Sequence, residues 1–129
     1  MNTGAITRRT TTAANVKLPP EPVSGTFVLP NDVDEHTVFE VDRPLTVAFD
    51  FGVFFDITEI TKNSFAFFLY VAVDGTNFRL HETYTYAATQ NVSQFNEDHM
   101  AFPFRVTAKA KVLEGAPRTL KYSYTVDER

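Results

Sequence analysis

The chain has 129 residues, room for one domain, and 43% of them are apolar, close to the globular norm. With 13 Phe, 5 Tyr, no Trp and no Cys, disulfides and thiolate chemistry are excluded and a β core built from Phe is expected. The net charge of −4 is unevenly placed. Residues 1–24 carry Arg8, Arg9 and Lys17 against Glu21, a surplus of two positive charges, so the remainder is strongly acidic and does not read as a nucleic-acid surface.

Residues 1–24 are rich in Thr, Ala and Pro, lack aromatics and follow neither helical nor strand periodicity. Such a segment buries too little apolar surface to offset its ordering entropy, so alone it is expected to be disordered. It reads as an extended N-terminal arm, stiffened by Pro19, Pro20 and Pro22, ahead of a domain spanning 25–129. No apolar run approaches the roughly 18–20 residues that cross a bilayer, and no apolar region follows Arg8 and Arg9. The expectation is synthesis in the cytoplasm with no signal peptide and no membrane partner.

The body opens with a short apolar run, Thr26 to Leu29, turned by Pro30-Asn31. Thr37 to Asp42 follows, with Phe39 and Val41 on one face. Val47, Phe49 and Phe51 then alternate with Ala48 and Asp50, the period of a half-buried strand. Gly52 suggests a bulge or bend there, and Phe54-Phe55 interrupts the pattern. Phe65, Phe67, Leu69, Val71 and Val73 form the next ladder; its other face is also partly apolar, as in a central or partner-covered strand. Asp74-Gly75-Thr76-Asn77 marks a hairpin turn into a returning strand, with Phe78, Leu80, Tyr84 and Tyr86 in one row and Glu82 among them. Ala87 to His99 is polar and reads as a long loop.

The cleanest alternation comes last. Phe102, Phe104, Val106, Ala108, Ala110 and Val112 face one way, with Arg105, Thr107, Lys109 and Lys111 opposite, and Pro103 suggests an edge strand or bulge. After a turn at Glu114 to Pro117, Leu120, Tyr122, Tyr124 and Val126 alternate with polar residues, which reads as a hairpin over 102–126. The fold expected is all-β: an antiparallel β-sandwich of about seven strands, immunoglobulin-like or jelly-roll-like.

No catalytic constellation stands out, and no enzyme is expected. His36, His81 and His99 lie in separate segments without ligand spacing. Asn31, Asp32, Asp34 and Glu35 could offer oxygens to calcium, but the spacing is not that of an EF-hand and a solvated turn is favoured. Glu97-Asp98-His99 is read as a loop end before a metal or acid–base site. No metal and no cofactor are expected. The five tyrosines fit core or subunit contacts better than a sugar-stacking face. Arg105, Lys109 and Lys111, with Lys121 across the supposed hairpin, form a basic face, either solvated or docked on an acidic neighbour.

The stretch LYVAVDGTNFRL, with Asp74, Gly75, Thr76, Asn77 and Phe78, resembles the strand–DGTNW–strand hairpin of small β-sandwich virion proteins of tailed bacteriophages. The stretch FPFRVTAKAKVLEGAPRTLKYSYTV, with Arg105 and Gly115, is similar to the pair of strands that usually follows. Phe78 stands where Trp is more usual. The resemblance implies a capsid decoration or cementing protein located in the virion. Its body would sit on the shell, and Ile6, Arg8, Arg9, Val16, Lys17 and Leu18 would reach the major capsid protein or other virion subunits. It also implies a homo-oligomer, with a trimer suited to quasi-threefold positions. The alternatives are a carbohydrate-binding module of a tail or surface adhesin, and a coat protein that assembles by itself.

Overall fold

The computed structural model describes residues 21–43, 47–62, 65–87 and 91–128. The partner-binding residues expected in the arm, Ile6, Arg8, Arg9, Val16, Lys17 and Leu18, lie outside the described residues. Among the described residues eight strands follow one another: β1 (Val23–Leu29), β2 (His36–Val41), β3 (Phe49–Asp56), β4 (Phe65–Val71), β5 (Arg79–Tyr86), β6 (Val92–Met100), β7 (Phe104–Ala110) and β8 (Arg118–Glu128). They form two four-stranded antiparallel sheets, ordered β1-β8-β3-β6 and β2-β7-β4-β5.

The order has a simple origin. β4 pairs β5, β3 pairs β6, β2 pairs β7 and β1 pairs β8, as in one long hairpin. Rolling that hairpin brings β3 beside β8 and β4 beside β7, which closes the two sheets. Eight strands in this order make a jelly roll, which decides between the two sandwich types. The Asp74–Asn77 turn is the tip of the roll. Asp74 Oδ1 accepts from the backbone N–H groups of Thr76 at 3.0 Å and Asn77 at 2.8 Å, and Gly75 takes the left-handed φ of 87° that the turn requires.

Several expectations change. The polar stretch 87–99 is mostly β6, an edge strand that turns Ser93, Phe95 and Met100 inward and so needs little apolar sequence. Segment 102–126 is not a hairpin: β7 and β8 lie in opposite sheets, and residues 111–117 cross between them. Pro103 precedes a central strand, and its carbonyl accepts the Ala72 N–H at 2.9 Å. Gly52 sits in unbroken register with Thr125 and Asn96, and alternation continues through β3, with Phe55 buried and Phe54 exposed. β1 starts at Val23, so the last two residues assigned to the arm belong to the sheet.

Between the sheets lie Phe49, Phe51, Val53 and Phe55 of β3, Phe65, Phe67 and Leu69 of β4, Phe104 and Val106 of β7, and Leu120 of β8. Aromatic pairs join one sheet to the other along the core. Phe55 meets Phe67 at 3.9 Å between ring centroids, Phe51 meets Phe104 at 4.4 Å, Tyr84 meets Phe95 at 4.0 Å and Phe39 meets Tyr124 at 4.4 Å. Such pairs add about 0.5–1.5 kcal/mol each beyond the area they bury, which explains why Phe dominates this composition.

Candidate functional site

The basic face does not form. Arg105 and Lys109 lie on the outer side of β7, whereas Lys121 lies on the other sheet and Lys111 follows the end of β7. Arg105 is engaged: its Nε donates to Glu40 Oε1 at 2.9 Å, and its guanidinium stacks on Phe78 at 4.2 Å from the ring centre. Lys109 donates to the Val33 carbonyl.

The segment that supplies this carbonyl is the acidic turn between β1 and β2, which folds over the outer face of the β2-β7-β4-β5 sheet. Glu35 Oε2 accepts from Thr107 Oγ1 at 2.7 Å and from the Tyr70 hydroxyl. Burial, and then Glu35, push the Tyr70 hydroxyl up to about 12. Asp32 Oδ1 takes His36 Nε2 at 2.8 Å, and Asn31 Oδ1 accepts from the Gly115 N–H at 3.0 Å. These oxygens latch a loop onto the sandwich. Among the described residues no group of three or more His, Cys, Asp or Glu is arranged to hold a metal.

Nor do the tyrosines share a face. Tyr84, Tyr86, Tyr122 and Tyr124 pack against the core, while Tyr70 lies on the outer side of β4. The predicted row on β5 fails through a bulge: Leu69 faces Glu82 but Tyr70 faces Leu80, so His81 is the extra residue. This shifts Leu80 to the outer face, where it is exposed.

The bulge turns His81 toward β6, a placement that nothing in the local sequence announces. His81 Nε2 lies 3.0 Å from Glu97 Oε1, and the Tyr84 hydroxyl donates to Glu97 Oε2 at 2.6 Å. Burial, followed by Glu97, raises the Tyr84 hydroxyl well above its ordinary range. A hollow of about 260 Å³ opens here between Val71, His81, Glu97, His99, Met100 and Phe102. It is lined by two histidines and two acids, with no Ser, Cys or Lys among them to act as a nucleophile. Glu97 joins the edges of the two sheets.

A groove of about 590 Å³, larger than this hollow, lies on the outer face of the β1-β8-β3-β6 sheet. Ser24 and Thr26 of β1, Lys121 and Ser123 of β8, Phe54 and Asp56 of β3 and Val92 of β6 line it. Phe54 and Val92 are both 57% exposed, an apolar floor with hydroxyl and charged walls. Phe54 faces out because β3 alternates strictly, and its neighbours Val53 and Phe55 fill the inward positions on either side. The groove begins at β1, the strand that the N-terminal segment enters.

Comparison with family models, with curated proteins and with solved structures finds no match.

Proposed function

We propose that this protein is a non-enzymatic virion structural protein that decorates and stabilises a bacteriophage capsid. The observation that carries the reading is the junction of two parts. A jelly roll, an architecture used by viral capsid and lectin domains, receives a basic, aromatic-free N-terminal segment directly into the edge strand β1. An edge placement leaves that segment a route away from its own sandwich toward a neighbour, where an extended chain can gain main-chain hydrogen bonds by strand addition. The resemblance of the Asp74–Phe78 hairpin to phage virion proteins points the same way. Arg8, Arg9 and Lys17 would meet carboxylates of the major capsid protein, with Ile6, Val16 and Leu18 as apolar anchors.

The test is co-sedimentation with capsid shells of the parent phage. Removing residues 1–20 should abolish binding while the circular dichroism of the body stays unchanged, and rising salt should weaken binding by the full chain. Undiminished binding after the deletion would refute the role of the arm.

A second reading rests on the Phe54 groove. A ring flanked by Ser24, Thr26, Ser123, Asp56 and Lys121 offers one apolar face and several hydrogen-bonding groups, the chemistry that a pyranose requires. Shifts of the Phe54 and Val92 NMR signals on a glycan panel would favour this carbohydrate-binding module over decoration.

A further inference from the structure

The four edge strands are not treated alike. In β2 the register with β7 slips at Val38, in β5 the register with β4 slips at His81, and in β6 the register with β3 slips at Asp98-His99. Each time the extra residue is on the edge strand, and each of these strands also carries charge: Glu40 in β2, Arg79 and Glu82 in β5, Glu97 and Asp98 in β6. Bulges and charges are the devices that keep an exposed edge from pairing with another chain.

β1 has neither. Its seven residues, Val-Ser-Gly-Thr-Phe-Val-Leu, are uncharged and pair with β8 without a slip from Val23↔Tyr124 to Leu29↔Arg118. Val23 and Val28 are 49% and 58% exposed. Among the described residues no strand pairs with the outer edge of β1. Pro22 and Pro30 bracket the strand, so a ladder on this edge stops at seven residues.

We infer that β1 is a homotypic interface: β1 of a second copy pairs with it antiparallel across a two-fold axis, joining two four-stranded sheets into one of eight strands. The occupant follows from charge. A two-fold contact sets each strand against its own sequence, so pairing through β2, β5 or β6 would double the number of charged side chains along the seam, whereas β1 brings none. The contact is isologous, so it closes as a dimer, while the bulged edges end further growth. This surface gives a two-fold association, distinct from the trimer implied by the resemblance, and it stands whether or not a capsid shell is the larger partner.

In the full seven-residue register Thr26 faces Thr26 of the second copy. Its side chain is exposed on the outer face, so substitution there leaves the core alone. Sedimentation velocity over a concentration series should show the full chain as a dimer. Thr26→Lys and Thr26→Asp should each weaken it about tenfold or more, because each places like charges in contact, and mixing the two variants should restore a dimer. The chain has no cysteine, so Thr26→Cys adds a clean probe. Facing Cα atoms in an antiparallel pair are about 4.5–5.5 Å apart, within disulfide range, so this variant should oxidise to a covalent dimer while Thr83→Cys on β5 should not. A full chain that stays monomeric would overturn the inference. So would an oligomer indifferent to charge at position 26, or equal cross-linking from both cysteine positions.

Discussion

Among single residues, Glu114 is a buried carboxylate that joins separate segments of the fold. In the sequence it is legible only as part of a turn, yet it is 5% exposed. Its Oε1 accepts from the Thr61 N–H at 2.7 Å and from Arg118 Nε at 3.2 Å, and its Oε2 accepts from the Lys62 N–H at 2.9 Å. It therefore ties the β3–β4 loop to the crossing between the sheets. Burial alone would raise its pKa, but these hydrogen bonds outweigh burial and hold it below the ordinary 4.5. A lowered folded value means that the stabilisation is complete above the unfolded pKa and is lost as pH falls through the folded one. Thermal denaturation should therefore show acid destabilisation beginning below about pH 4.5 that is reduced in Glu114→Gln. Glu114→Ala, which leaves the Thr61 and Lys62 N–H groups and the Arg118 Nε–H without their carboxylate acceptor, should cost about 3 kcal/mol at neutral pH. In the core, Phe55→Ala should cost about 3–5 kcal/mol, read from a urea midpoint. Phe55 contacts both Phe67 of the opposite sheet and Phe95 of the neighbouring strand.

Among the strands, the alternation of β3, β4, β7 and β8 is visible in the sequence because central strands must fill one face with large apolar groups. β6 is hidden because an edge strand spends few such residues, and bulges invert the alternation from which a strand is read. A β7–β8 hairpin is the wrong reading because a seven-residue link can serve either a hairpin or a crossing over the roughly 10 Å between sheets. Alternation says which residues point inward but not into which sheet. The Glu97–His81 contact is illegible for the same reason, since it joins edges of different sheets. His99, at the β6 bulge, has a left-handed φ of 59° and donates its N–H to Asp50 Oδ1 at 3.2 Å. His99→Gly should retain or raise the melting temperature, whereas His99→Val should lower stability by about 1–2 kcal/mol. Gly25 is limited differently: a Cβ there would lie 2.4 Å from the Tyr122 hydroxyl oxygen, whose ring is packed near Phe39. Gly25→Ala should thus destabilise by about 1–3 kcal/mol and change the Tyr122 signals in an NMR spectrum.

For the molecule as a whole, the proposed assembly contacts fall on two features of a rolled hairpin with three blunted edges: the plain edge of β1 and the basic N-terminal segment that leads into it. The sandwich is legible from strand count and turn spacing, but the jelly-roll order is not, because it depends on which strands meet after the tip at Asp74–Asn77. The proposed binding residues Ile6, Arg8, Arg9, Val16, Lys17 and Leu18 rest on composition and resemblance, whereas the plain edge of β1 can be recognised only once its neighbour β8 is known. Light scattering on the purified chain, alone and mixed with candidate bacteriophage capsid shells, is the sharpest measurement of the proposed decoration role. Decoration requires a small, discrete oligomer alone and a saturable mass increase on the shells. Closed particles formed by the chain alone would instead make it a coat protein, and a chain that never adds mass to the shells would contradict decoration outright.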